Sequence, residues 1–170
     1  MPNRLQQRLA EIGAPADVCK LASELAELAV RDPLTGLYNR RFFDEALAQN
    51  IETARRYGRE LSLIIFDLDD LKVVNDTRGH QAGDEILKTF AQLLKNNSRK
   101  ADIVCRIGGD EFAVILPEAG RSDVQNFTER FLRILGETKG VRASAGMSSL
   151  SSGNLFADAD AALLAVKHAR

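Results

Sequence analysis

The chain has 170 residues, 45% of them hydrophobic and 28% charged, with a formal net charge of −1. That is enough apolar material for one sizeable core plus a short appendage, and so balanced a charge leaves no basic footprint for DNA or RNA. No apolar run is long enough to cross a bilayer, Met1 to Ala10 lacks the apolar stretch of a signal peptide, and Cys19 and Cys105 are too few and too far apart for a disulfide framework or a zinc site, so the expected setting is the reducing cytoplasm without direct membrane insertion.

In chain order, Pro15 is expected to start a helix. In it Val18, Leu21, Leu25 and Leu28 follow a coiled-coil rhythm for less than two heptads. Two readings stand for this stripe: a helix packed on its own domain, or the end of a signalling helix that brings two copies together. Phe43, Leu47, Ile51 and Ala54 recur at helical spacing and predict a helix over about Arg40 to Tyr57. Leu61 to Phe66 is an apolar run of strand length that ends abruptly in Asp67-Leu68-Asp69-Asp70. Ile86, Leu87, Phe90, Leu93 and Leu94 mark a second helix through about Asn96. Arg106 to Leu116 reads as a hairpin with Gly108, Gly109, Asp110 and Glu111 at its tip. Cys105, just before it, falls in an apparent strand, as a small buried residue. Val124, Phe127, Phe131, Ile134 and Leu135 mark a third helix, with Ser122 and Gln125 resembling a capping box. Val141 to Ala145 reads as a strand, and Ala157 to Lys167 as a last helix. Interleaved helices and strands predict an α/β (α+β) domain, a mixed sheet covered by helices.

The two acidic stretches carry the chemistry. Glycines at a hairpin tip let a bulky anion approach the main chain, and carboxylates beside them suit hard divalent cations. Carboxylates at the end of a buried strand face a ligand crevice. If that strand pairs with the hairpin, Asp67 meets Asp110 and Glu111, and three carboxylates so close predict magnesium, as in phosphoryl and nucleotidyl transfer. Each stretch also has a plain structural explanation: Asp69 or Asp70 as a helix cap, and Gly-Gly-Asp as turn chemistry.

Residues 108–112, Gly-Gly-Asp-Glu-Phe, resemble the signature of the GGDEF family, the diguanylate cyclases. The resemblance extends to Asp32-Pro33-Leu34-Thr35-Gly36-Leu37-Tyr38-Asn39-Arg40-Arg41, to 66–76, to Gly79-His80-Gln81-Ala82-Gly83-Asp84, to Ser144-Ala145-Gly146 and to 159–163, so that it covers the chain from about Asp32 to its end. It implies a palm-like, mostly antiparallel five-stranded sheet related to nucleotide-cyclase domains. It also implies roles. Asp67, the Leu68 carbonyl and Asp110 would bind Mg²⁺ (or Mn²⁺). Glu111 would be a metal ligand, a general base for the attacking hydroxyl, or both. Asn75 and Asp84 would recognise guanine, with His80 in the same segment, while Gly108 and Gly109 leave room for substrate. Lys72, Lys167 and the backbone N–H groups near Asp70 and Leu71 would contact the triphosphate. Arg99 and Asp102 match the family's RxxD site, at which cyclic di-GMP inhibits. The implied reaction joins two GTP into cyclic di-GMP in a two-fold dimer.

The chain departs from the family at Leu164, where Tyr is usual, at Val166, where Ala is usual, and at Arg170, which stands in place of the Gly of a final Gly-Arg. The segment from Leu116 to Ser144 is short and is expected to lack a peripheral hairpin. Residues 1–30 read as a helical linker and 31–170 as the catalytic domain. Three functions remain open: a diguanylate cyclase with product inhibition, a receptor that binds cyclic di-GMP through Arg99 and Asp102, and a related cyclase making a cyclic mononucleotide.

Overall fold

The computed structural model describes residues 8–9 and 11–169. Helix α1 (Ala16–Ala29) is followed by α2 (Arg40–Tyr57), β1 (Leu61–Leu68), α3 (Leu71–Arg78), α4 (His80–Asn97), β2 (Ile103–Arg106), β3 (Glu111–Pro117), α5 (Arg121–Glu137), β4 (Ala143–Ser149) and α6 (Leu155–His168). The strands form one sheet in the order β2-β3-β1-β4, with every ladder antiparallel.

The expected fold class holds, but the described sheet has four strands rather than five, and its one parallel pairing is an isolated bridge between Tyr38 and Cys105. Only residues 138–142 separate α5 from β4, too few for a further hairpin. Strand β4 also begins later and runs further than expected, because its Ser148 hydroxyl donates to the Leu155 carbonyl at 2.6 Å and so keeps the far end tied to α6.

All eight residues of β1 are buried, so the period of two sorts them between two cores. Ile64, Phe66 and Leu68 face α4 and α5, where Phe66 meets Phe131 at 5.2 Å and Phe90 at 5.8 Å between ring centroids. Phe66→Ala would cost about 3–5 kcal/mol there. Leu61, Leu63 and Ile65 face α2 and α6, against Phe43, Leu47 and Leu163. Strand β3 alternates in step, with Phe112, Val114 and Leu116 on the first face and Ala113 and Ile115 on the second. Asp67 and Glu111 therefore continue the second row, toward α6.

Helix α6 sits directly on β4. A Cβ on Gly146 would overlap the Ala159 carbonyl and the Leu163 backbone, so only glycine permits this approach. Helix α5 starts differently from the expected capping box. Gly120 is its N-cap, and Asp123 Oδ2 accepts from the Gly120 N–H at 3.0 Å, while Gln125 pairs with Glu129 within the helix.

Helix α1 buries none of its residues, and Val18, Leu21, Leu25 and Leu28 are 44–71% exposed. Of the two readings of this stripe, packing against its own domain is not what the described residues show. The junction that follows is well tied: Asn39 caps α2 by accepting from the Phe42 N–H at 3.0 Å, and its amide donates to the Ala29 carbonyl at 2.8 Å.

Candidate active site

Strand register brings the distant acids together. Asp67 is the direct cross-strand partner of Glu111, which puts both side chains on one face of the sheet. The Leu68 N–H donates to the Asp110 carbonyl at 3.0 Å, and the Glu111 carbonyl accepts from the Ile107 and Gly108 N–H groups at 2.9 and 3.3 Å. These bonds close the hairpin tip against the end of β1. A Cβ on Gly108 would meet the Glu111 carboxylate and turn it aside, whereas one on Gly109 would face open space.

Arg106 braces the tip from behind. Its guanidinium donates to the Gly109 carbonyl at 2.7 Å and to Asp32 at 3.2 and 3.3 Å. Burial pushes Asp32 up, but the Thr35 hydroxyl and N–H and the Arg106 charge more than offset it and leave the carboxyl below its ordinary range. The first block of the resemblance thus supports the signature from the opposite side of the hairpin.

Asp67, Leu68, Asp70, Lys72, Asp110 and Lys167 line one open cleft of about 510 Å³. Electrostatically the site is unbalanced. Burial pushes the Asp67 carboxyl up, and Asp110 and Asp69 add to this, while a bond from Lys167 opposes it. Burial likewise pushes Glu111 up, reinforced by Asp110, Asp67 and Asp160 and relieved only by Lys167. The Lys167 ammonium lies 2.6 Å from Asp67 Oδ2. Among the described residues no three His, Cys, Asp or Glu side chains stand close enough together to hold a metal ion by themselves. Even so, oxygen donors at the ends of two paired strands, repelling one another and partly neutralised by the Lys167 ammonium, are of the kind a hard divalent cation takes.

Asp69 and Asp70 have structural partners. Asp69 accepts from the Ser144 hydroxyl at 2.8 Å, and Asp70 from Arg142 at 2.7 Å. Asp70 stands at the N-cap of α3 in the left-handed conformation, φ 60°, but makes no side-chain capping bond. The reading of Asp70 as an ordinary cap is therefore not upheld, and the first residues of α3, Leu71, Lys72 and Val73, line the cleft.

Asn75, His80 and Asp84 form a second group, at the α3–α4 corner around Gly79, φ 83°. Asn75 Oδ1 is buried without a hydrogen-bond partner, and a Cβ on Gly83 would strike it. His80 is exposed, and Asp84 is half-buried beside Gly83. These residues stand apart from those lining the acidic cleft.

Arg99 and Asp102 form a closed turn: the Arg99 N–H donates to Asp102 Oδ2 at 2.7 Å, and the Asp102 N–H to the Arg99 carbonyl at 3.0 Å. Burial pushes Asp102 up, against the Arg99 N–H bond and the charges of Arg99 and Arg130. Arg130 was missed in the sequence. It lies on α5, 31 positions after Arg99, and donates to the Asn97 carbonyl at 3.1 Å beside the turn. Only the packing of α5 near the end of α4 reveals it. Cys105 is buried and its thiol is pushed up to about 12, which leaves it inert. Arg170 lies outside the described residues. No helix among them is long and apolar enough to cross a membrane.

The chain is 44% identical over 104 residues to the response regulator PleD of Caulobacter vibrioides, covering 61% of this chain and 23% of that protein. It is 37% identical over 153 residues to the diguanylate cyclase DgcP of Pseudomonas aeruginosa, covering 83% of this chain and 23% of that one. The chain thus spans about a quarter of the length of these curated relatives. Among solved structures, the coiled coil and GGDEF domain of DgcB from Caulobacter crescentus, in complex with c-di-GMP, superposes with a TM-score of 0.82 at 29% identity, covering 97% of this chain and 95% of that one. Diguanylate cyclase SiaD of Pseudomonas aeruginosa, in complex with its activator SiaC, gives 0.79 at 33% identity, covering 98% and 67%. Residues 29–170 match the family model described as diguanylate cyclase, GGDEF domain, and the chain belongs to that family.

Proposed function

We propose that the chain condenses two GTP molecules into cyclic di-GMP and two pyrophosphates, each domain of a two-fold dimer holding one GTP. The observation that carries this reading is the cross-strand pairing of Asp67 with Glu111 beside Asp110, at the mouth of a cleft flanked by Lys72 and Lys167. Asp67, Asp110, Glu111 and the Leu68 carbonyl would hold Mg²⁺ or Mn²⁺, which when bound supplies charge neutralisation at the α-phosphate. Lys72, Lys167 and the N–H groups at the start of α3 orient the triphosphate. Asp84 accepts from the guanine N1–H and amino group, and the unpartnered Asn75 oxygen offers a further acceptor. Glu111, held above the ordinary carboxylate range, is suited to take the proton from the attacking 3′-hydroxyl. The 3′-oxygen forms the new bond to the α-phosphorus as the bond to the pyrophosphate oxygen breaks.

Residues 1–30 serve as the helical linker and 31–170 as the catalytic domain. The exposed Val18–Leu28 stripe supports a paired helix that faces two domains toward each other. Arg99 and Asp102, with Arg130 beside them, bind product and hold the dimer unproductive, as Arg suits the guanine O6 and N7 edge. Solved neighbours of this fold are complexes with c-di-GMP.

Incubation with GTP and Mg²⁺ over a range of protein concentrations, with identification of the product, tests the reading. Cyclic di-GMP is expected, with specific activity rising with concentration. Cyclic GMP would assign the chain to mononucleotide synthesis. No turnover with tight cyclic di-GMP binding would make it a receptor working through Arg99 and Asp102.

A further inference from the structure

Resting on the cyclase reading, we propose that Lys167 is the site's exchangeable counter-ion: its ammonium pairs with Asp67 when no divalent cation is bound and moves to the nucleotide's phosphates when cation and nucleotide bind together. The acidic cleft holds one ammonium close to its deepest carboxylate. Lys167 Nζ lies 2.6 Å from Asp67 Oδ2, and the Asp67 side chain is only 11% exposed. Lys72 and Arg142 line the same cleft, but Arg142 is engaged by Asp70 at 2.7 Å.

A divalent cation ligated by Asp67 would compete for the oxygen that Lys167 occupies. Ammonium and cation repel at that range, so one must leave. In the free protein the ammonium also acts on Glu111, but leaving Asp67 means giving up its charge-assisted bond at 2.6 Å. A bound triphosphate provides another anion within the same cleft. Lys167 is 38% exposed and carries a flexible four-carbon stem, which lets the head turn without loss of packing. Metal and nucleotide should therefore bind with positive coupling, and by linkage each should raise the other's affinity by the same factor.

The test is Mn²⁺ binding followed by the electron paramagnetic resonance signal of free Mn²⁺, on the full chain, with and without a GTP analogue whose α–β bridge cannot be cleaved. With the Mn²⁺ held by the analogue alone subtracted from protein-free controls, wild type should bind Mn²⁺ weakly alone and about 10-fold or more tightly with the analogue. Lys167→Met should bind Mn²⁺ about 10-fold more tightly alone and lose most of the coupling, whereas Lys167→Arg should stay near wild type. As a second readout, metal-free Lys167→Met should melt below wild type and gain more from Mn²⁺, because Asp67 is left without its cation. If Lys167→Met and Lys167→Gln bind Mn²⁺ no more tightly than wild type without nucleotide, the exchange is overturned while the cyclase reading stands. If wild type takes no Mn²⁺ even with the analogue, the metal assignment itself fails, and the exchange with it.

Discussion

The acidic end of the sheet and the Arg99 turn are both built on half-buried carboxylates, yet their surroundings are opposite. At Asp67 and Glu111, burial and neighbouring acids act in the same direction, and one lysine opposes them. At Asp102, burial is opposed by a backbone N–H and two arginines. The first cluster carries unresolved repulsion, whereas the second has partners within the chain. On the proposed function, the first would suit a cation and the second a ligand that shares its arginines.

The largest expected effect separates the two regions outright. Asp110→Ala should lower turnover by about 10²–10³-fold while leaving cyclic di-GMP binding at the Arg99 turn unchanged, as read by product formation and by calorimetry. Loss of both would mean that the regions are not independent. Arg99→Ala should do the converse, raising the product inhibition constant about 30-fold through loss of charged hydrogen bonds, while initial rates at low product stay close to wild type. An unchanged inhibition constant would remove Arg99 from the site. Gly83→Ala should raise KM for GTP about 10-fold with a smaller effect on kcat, since the new methyl strikes Asn75 and not the acidic cleft.

The smallest effect is on stability. The folded-state pKa of Glu111 lies above its ordinary value of 4.5, so its ionised form opposes folding, and the penalty is complete once pH exceeds the raised value. Glu111→Gln should therefore raise Tm at pH 7 by about 1–2 °C, a small shift because solvent screens a half-buried group. The gain should vanish as pH falls below about 4.5, where wild-type Glu111 is protonated as well. A gain that grows on acidification would contradict the sign of the repulsion.

Much of this was legible before any coordinates. The bounds of α2 and the end of α4 follow apolar spacing, whereas the start of α4 at His80 does not, and the meeting of Asp67 with Glu111 was legible on the condition that the buried strand pairs with the hairpin. What escaped was set by contacts distant in sequence. The start of α5 depends on Asp123 reaching back to Gly120, which a pattern search for Ser and Gln does not anticipate. The length of β4 depends on its tie to α6 and its close seat beneath it. Arg130 reaches the Arg99 turn only through packing, and Arg106, which braces the Gly109 carbonyl, reaches 74 positions back to Asp32. Charge partners of this kind leave no periodic trace in the chain.

The seat of α6 on Gly146 has a mechanical consequence. With backbone resting on backbone at Ala159 and Leu163, the helix is closely seated one turn before Lys167, and the ammonium stands at the end of four methylenes that can pivot. Any travel of the ammonium must then run on the nanosecond clock of side-chain torsions and not on the slower clock of shifting helices. The lysine would track the arrival of substrate without the fold having to rearrange.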